Sequence, residues 1–413
     1  MSSEVTTHPL KSLCLLVVDC PHSTPLWTDS GVVVLRNQNI KDGRLDLTNP
    51  SFTDEAHYVG RVKRAVPQEN DLVITREAPM GEVCLIPKGL KCCLGQRQVL
   101  LRPDPDKINS RYLLYALQSP YLQRQIGWNE GTGSTVSNLR IPVLEQLSVP
   151  TPLLKTQQEI ALMLGALDDR ITLLCETNKT LESIAQAIFK SWFVDFDPVR
   201  AKMEGRQPEG MDKETAALFP DSFEESEWGT VPKGWLPIRL DSFLELAYGK
   251  ALKADNRNPG DVPVYGSGGI TGWHDTALIS SPSIIVGRKG TVGSLYWESR
   301  PFFPIDTVFY VKTEKPLTYC WQLLKTLRLQ DMNTDAAVPG LNRENVYRLL
   351  VPNAPASLLD AFDATANVLR QSIDHNEEQA LSLSTLRDTL LPRLISGQLR
   401  LPEAQEQAED ALP

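Results

Sequence analysis

Apolar side chains recur between residues 156 and 192 at Ile160, Leu164, Leu167, Ile171, Leu174, Leu181, Ala185, Ile188 and Trp192, in alternating steps of four and three. One seam position is polar, Asn178. That is the heptad pattern of a long helix with one buried stripe. At about 1.5 Å per residue it would be roughly 55 Å long. Thr156 with Glu159 predicts a capping box at its start. Pro198 lies just beyond its end. The pattern returns 202 residues later at Phe362, Ala366, Leu369, Ile373, Leu383 and Leu390, with Asn376 as the polar member. Ser357 with Asp360 is a weaker start signal there, and Pro392 and Gly397 predict the end. Two matched helices so far apart in sequence should pack on each other. If they run antiparallel, Asn178 faces Asn376, Ile171 faces Leu383, Leu164 faces Leu390 and Leu181 faces Ile373. A buried Asn pair weakens such a seam and fixes its register.

The repeat extends upstream of the helices. Val136 and Leu139 match Val338 and Leu341, and Val149-Pro150 matches Val351-Pro352. At an offset of 212, Leu72–Arg76 matches Ile284–Arg288 and Gly81 matches Gly293; at 210, Gln96–Arg102 matches Asp306–Lys312. Two copies of a domain-plus-helix unit follow. Residues 1–150 alternate β-rich runs (Leu13–Val18, Gly31–Arg36, Asp71–Arg76, Gln98–Arg102) with turn clusters, and Ser110–Gln118 reads as a short helix. The loop Gly127–Val136 is rich in Gly, Ser and Thr. Residues 236–353 repeat this domain loosely. The fold class is therefore α+β. The predicted division is a first mixed, mostly β domain at 1–150 and a helix at 151–193. A linker at 194–235, a second β domain at 236–353, a second helix at 354–397 and an acidic, disordered tail at 398–413 complete it. The linker carries Trp192, Phe193, Phe196, Phe219, Phe223 and Trp228 in or beside it, too many aromatics for a free chain, and is expected to lie on a surface.

The net charge of −9 would argue against nucleic acid were it uniform. It is not: the two β-rich domains carry +1 and +2, while the first helix carries −1, the linker −5 and residues 354–413, the second helix with its tail, −6. A local phosphate-binding face is permitted on each domain. No apolar run is long enough to span a bilayer. The short run Leu13–Val18 reads as a strand, not as a leader. Seven cysteines without C-x-x-C spacing suit reduced thiols in a cytoplasm.

Candidate DNA contacts in the first domain are Arg61, Lys63, Arg64, Arg76, Lys88, Lys91 and Arg97; in the second they are Lys250, Lys253, Arg257, Arg288 and Lys289. Arginine reads guanine edges, and both cations hold phosphates. The plain reading of each is solvated surface charge. Arg76 and Arg288 stand out because they recur in the repeat. The Gly-rich stretch Tyr265–Gly272 has neither dinucleotide-binding nor P-loop spacing and reads as a turn or a groove-facing loop. Pro103–Lys107 has paired aspartates, but its two prolines make a turn, not the strand of a metal nuclease. The five histidines lack ligand spacing, and no nucleophile elbow or kinase loop is present.

In order and content the chain resembles the specificity subunits of Type I restriction–modification enzymes. The stretches that carry the resemblance are Leu147–Ala161, Phe189–Lys202, Gly229–Trp235, Leu386–Leu399 and the runs Leu72–Val83 and Ile284–Leu295. It covers nearly the whole chain. It implies that each β-rich domain is a target recognition domain reading one half of a split, asymmetric DNA site. The two helices would form an antiparallel coiled coil that fixes the gap. Two methyltransferase subunits would clamp around it and up to two restriction/motor subunits would join. The chain would be non-catalytic and cytoplasmic, with S-adenosylmethionine, ATP and magnesium on the partners. Gly165 is a departure inside the first helix. On the residues alone, a coiled-coil adaptor whose β-rich domains bind proteins stays open. An enzyme in its own right would need a tetrapeptide such as Asn-Pro-Pro-Tyr; the nearest string, at Asn353, has no aromatic.

Overall fold

The computed structural model describes residues 6–127, 138–226, 229–333 and 339–411. Val136, Val338, Glu227, Trp228 and all but Gly127 of the Gly/Ser/Thr loop lie outside them. The chain forms two compact units, Met1–Leu173 with Gln379–Pro413, and Leu174–Glu378.

In the first unit β1 (Cys14–Asp19), β2 (Leu72–Thr75), β3 (Val83–Leu85) and β4 (Gln98–Pro103) make an antiparallel sheet in the order β1-β4-β2-β3. A second sheet sets Val32–Leu35 between an antiparallel strand, Ser51–Thr53, and a parallel one, Cys92–Leu94. A third pairs Thr7–Pro9 with Ser148–Pro150. Buried Cys20, Leu35, Val73, Cys84, Cys92 and Leu100 fill the space between the first two sheets. Helix α1 (Ser110–Gln118) has the predicted bounds, because Asn109 caps it by accepting from the Tyr112 N–H at 3.0 Å. Helix α2 (Leu154–Phe193) follows the third sheet.

The second unit has the same plan. Its strands β5 (Glu245–Tyr248), β6 (Ser283–Gly287), β7 (Leu295–Glu298) and β8 (Val308–Lys312) order as β5-β8-β6-β7. Val262–Gly266 lies between antiparallel Gly269–His274 and parallel Phe303–Pro304. Ile238–Arg239 pairs with Leu350–Val351. Helix α3 (Leu317–Thr326) stands where α1 stands in the first unit, and α4 (Ala356–Ile395) follows. The repeat seen as scattered sequence matches is thus a repeat of three sheets and two helices, and the chain is an α+β fold with an internal repeat.

Helices α2 and α4 each run 40 residues. Both begin earlier than their capping signals, so Thr156 and Ser357 sit in the first turn rather than at the cap. Pro392 does not end α4, which continues to Ile395. Leu394 and Ile395 are buried beyond it. Burying them outweighs the one backbone bond a helix-interior proline forfeits. The expected disorder does not hold for residues 401–411: α5 (Leu401–Ala411) is rich in Ala, Glu and Gln, strong helix formers. Ala404 is fully buried, and Arg393 Nη1 donates to Gln407 Oε1 at 3.2 Å.

Seam residues Ile160, Leu164, Leu167, Ile171, Leu174 and Ala185 of α2, and Phe362, Ala366, Ile373, Leu383 and Leu390 of α4, are buried. Within the second unit the antiparallel register is fixed by a bond from Asn376 Nδ2 to Asn178 Oδ1 at 2.8 Å. Asn178 Nδ2 in turn donates to the Ile373 carbonyl at 3.2 Å. Within the first unit Arg387 Nη1 of α4 meets Asp168 Oδ1 of α2 at 2.6 Å. The Tyr115 hydroxyl donates to Asp168 Oδ2 at 2.7 Å, so one carboxylate joins both long helices to α1. Gly165 is explained here. The Arg111 guanidinium lies across α2, bonded to the Gly165 carbonyl at 3.2 Å and to Asp169 at 2.6 Å. A Cβ on residue 165 would come within 2.6 Å of it.

The stretch 194–235 holds helices Asp197–Met203 and Lys213–Ala217 and a hairpin, Phe223–Ser226 with Gly229–Pro232. Its described aromatics join the second unit's core: Phe219 and Trp235 are buried in it, and Phe196 and Phe223 pack against it. Trp192 meets Phe219 edge-on at 5.3 Å, Phe193 stacks on Trp235 at 5.9 Å, and Phe189, Tyr319 and Phe362 complete the cluster. The heptad count missed Phe189 and Phe193, which lie off the stripe and are buried because Tyr319 and Trp235 pack on them in addition to Phe362 of α4.

Candidate nucleic-acid interface

Three loops converge at one corner of the first unit. They are the turn after Val32–Leu35, carrying Arg36, Asn37 and Gln38; the loop after β2, carrying Glu77 and Ala78; and the loop before β4, carrying Gly95, Gln96 and Arg97. Together with Trp27 they line a polar cavity of about 360 Å³. Backbone bonds tie the loops together. Gly95 N–H donates to the Leu35 carbonyl at 2.8 Å, Arg76 N–H to the Arg97 carbonyl at 2.8 Å, and Leu139 N–H to the Arg76 carbonyl at 2.9 Å.

The second unit repeats all three bonds. Ile305 N–H donates to the Tyr265 carbonyl at 2.9 Å, Arg288 N–H to the Thr307 carbonyl at 2.9 Å, and Leu341 N–H to the Arg288 carbonyl at 2.8 Å. Its corner is therefore built from Gly266–Gly268, Lys289-Gly290 and Asp306-Thr307. The Gly-rich stretch is the hairpin turn of this corner, with Gly266 paired to Gly269. No phosphate cradle is needed to explain it.

The basic candidates separate into two groups. Arg61 is 8% exposed and spends its guanidinium on main-chain carbonyls: Leu94 at 2.8 and 3.0 Å, Gly95 at 2.9 Å and Ser23 at 3.0 Å. It clamps the loop before β4 from within and presents nothing to a ligand. Arg76 is likewise committed. It bridges both Asp19 oxygens at 3.0 and 3.1 Å, the Leu139 carbonyl at 3.0 Å and Asn138 at 3.2 Å. Arg288 donates to the Asp306 carbonyl at 2.8 Å and lies over the Tyr248 ring at 5.0 Å. Arg257 is half-buried and donates to the Thr271 carbonyl at 2.6 Å. These four arginines build loops. Arg76 and Arg288 recur because the scaffold recurs.

The outward group is Lys63, Arg64, Lys88, Lys91 and Arg97, with Lys250, Lys253 and Lys289. Arg64 touches the Asp19 carbonyl at 3.2 Å, Lys91 pairs with Glu55 at 2.6 Å, and Arg97 pairs through Nε with Glu77 at 3.1 Å. The corner brings together Arg76 and Arg97 of the first unit, and Arg288 and Lys289 of the second. Sequence reasoning did not find Trp27, Arg36, Asn37, Gln38 or Gln96. Their only signal is position, at the ends of runs that read as strands. It also missed Glu182 of α2, which accepts at one oxygen from Trp321 Nε1, Gln322 Nε2 and Lys325 Nζ of α3 at 2.9, 2.8 and 2.6 Å. Burial pushes the Glu182 carboxyl up, but those three donors outweigh it and leave it below the ordinary 4.5.

The family model for the Type I restriction modification DNA specificity domain matches residues 28–183 and 232–353, which span most of both β-rich regions and the greater part of α2. The chain belongs to that family. A Type I restriction enzyme specificity subunit of Methanocaldococcus jannaschii is 23% identical over 372 residues, 80% of this chain and 78% of its own. A Haemophilus influenzae counterpart is 26% identical over 334 residues, 65% and 73% respectively. In fold the chain is similar to the crystal structure of a Type I restriction–modification S subunit from M. genitalium, with a TM-score of 0.54 over 94% of this chain and 96% of that one at 21% identity. Among the described residues no helix is long and apolar enough to cross a membrane, and no cluster of three His, Cys, Asp or Glu could hold a metal.

Proposed function

We propose that this DNA-specificity protein reads a bipartite site, one half-site per unit. The single observation carrying this is the duplicated corner: one set of backbone bonds, two different sets of outward side chains. Identical scaffolds with different reading residues suit two different half-sites and an asymmetric target. The α2–α4 pair would set the gap, with methyltransferase subunits and, where present, restriction/motor subunits docked around it. S-adenosylmethionine, ATP and magnesium would belong with those partners, and the chain itself would act by binding alone. Family membership disfavours the adaptor reading.

The test is co-expression with a methyltransferase subunit followed by mapping of methylated adenines. Two short half-sites at a fixed gap support the proposal, and a single contiguous motif refutes it. Binding through several phosphates should also weaken steeply as salt rises.

A further inference from the structure

Comparison of the two units separates residues that build the corner from residues that are free to differ in it. Arg76 and Arg288 are the same residue in both copies, with the same main-chain bonds. Arg97 and Thr307 accept the same backbone bond from those arginines yet differ completely in side chain. That bond uses only the carbonyl, so it does not dictate which side chain the position carries. A position whose carbonyl is fixed and whose side chain points outward is where specificity can vary while the scaffold bond persists.

We infer that Arg97 is a base-reading residue of the first unit, and that the cavity bounded by Arg36, Asn37, Gln96 and Trp27 is the pocket around the purine edge it contacts. This rests on the half-site reading above and names the side chain that performs it. Four observations support it. First, the Arg97 guanidinium is mostly in the open, its side chain 58% exposed and held by a single carboxylate, Glu77, through Nε at 3.1 Å, whereas the exposed Arg36 lies over the Trp27 ring. Pairing through Nε leaves the terminal nitrogens pointing onward, the fork that matches O6 and N7 of guanine. Second, its backbone is pinned. Residue 97 has φ +65° and Ala78 opposite has φ +47°, left-handed conformations that a non-glycine residue adopts only when the surroundings impose them. Third, the buried Arg61 holds the carbonyls of Leu94 and Gly95, immediately before Gln96 and Arg97, so the loop is braced from below. Fourth, the pocket wall is polar and carries an aromatic face, from Arg36, Asn37, Gln38, Gln96 and Trp27. Asn37 Nδ2 donates to the Glu77 carbonyl and ties the wall to the loop after β2. Trp27, 46% exposed, carries the Arg36 guanidinium over its ring at 5.3 Å. A rigid fork, a polar wall and an exposed aromatic face suit the edge of a base pair better than a phosphate, which asks only for charge.

The experiment uses the complete complex with its methyltransferase subunit. Wild type, Arg97→Ala and Arg97→Lys are mapped for genomic methylation and for binding to duplexes that each change one base pair of the wild-type site. Arg97→Ala should lose discrimination by roughly ten- to a hundredfold at one G·C pair of one half-site. The other half-site and the gap should not change. Arg97→Lys should restore only part of the discrimination, because an ammonium cannot make the bidentate contact. The inference is overturned if Arg97→Ala keeps the wild-type motif and selectivity, or if it weakens binding to every duplex alike, as a phosphate contact would. If the Arg97→Ala complex binds but does not methylate, the duplex panel decides by the same criteria. Lys88→Ala, an exposed cation outside the corner, serves as the comparison for lost charge alone. Failure of wild type to show a bipartite motif would count against the half-site reading itself, so the two failures are distinguishable.

Discussion

Removing Glu182 tests how the second unit is fastened to α2. The Glu182 side chain is 24% exposed and that of Lys325 is 25% exposed, so neither is bathed in water. Glu182→Ala leaves three donors of α3 without their acceptor: an indole N–H, an amide and an ammonium. A bond to a charged group contributes about 1.5–3 kcal/mol and an orphaned neutral donor about 1 kcal/mol; with partial rehydration the loss should be about 3 kcal/mol. Amide hydrogen exchange along α3 reads this directly, and the loss corresponds to local opening roughly a hundredfold more frequent. The double variant Glu182→Ala, Lys325→Met should cost less than Glu182→Ala alone, because the stranded ammonium is gone. The pH dependence supplies a second check. Glu182 has its folded pKa below its unfolded value near 4.5, so its stabilisation is complete above that pH and is lost as pH falls through the lower folded value. The difference between wild type and Glu182→Gln should therefore shrink below about pH 4.5. A cost under about 0.5 kcal/mol, or a difference that ignores pH down to about 3, would refute the argument.

Arg61→Ala should destabilise the first unit by about 3–5 kcal/mol by orphaning buried carbonyls, and appear in urea denaturation as a lower midpoint with assembly impaired, not as relaxed specificity. Arg76→Ala should also act on stability first, since it strands the buried side of Asp19; a folded, fully stable variant with altered reading would contradict its structural role. Replacing Asn178 and Asn376 together by Leu should raise resistance to urea while loosening register, visible as more than one α2–α4 pairing in cross-linking between cysteines placed along the two helices. Deleting one heptad from α2 together with its partner heptad in α4 should shift the gap between half-sites, measured by methylation mapping, and leave both half-sites readable.

Much of the architecture was legible in the residues. A heptad stripe needs only local periodicity, and it located both long helices and their two asparagines. Their arithmetic gave the pairing that the Asn376–Asn178 bond displays. The ends were less legible. Thr156, Ser357 and Pro392 are local signals, whereas the burial of Leu394 and Ile395 that carries α4 past its proline depends on what lies opposite. The acidic tail was misread because charge is visible in a sequence and the pocket that takes Ala404 is not.

Sequence alone determined the duplication and the helical seam, because these rest on repeated spacing, which survives when individual residues change; the class of protein came from the resemblance of particular stretches to a known family. Only the tertiary structure decided what each arginine does. Arg61, Arg76 and Arg97 lie within 37 positions of one another and are the same residue type. Arg61 closes on buried carbonyls, Arg76 on Asp19, and Arg97 stands in the open beside a polar cavity. A guanidinium binds whichever acceptors are nearest, and which those are is set by how β2, β4 and the Val32–Leu35 turn meet in space.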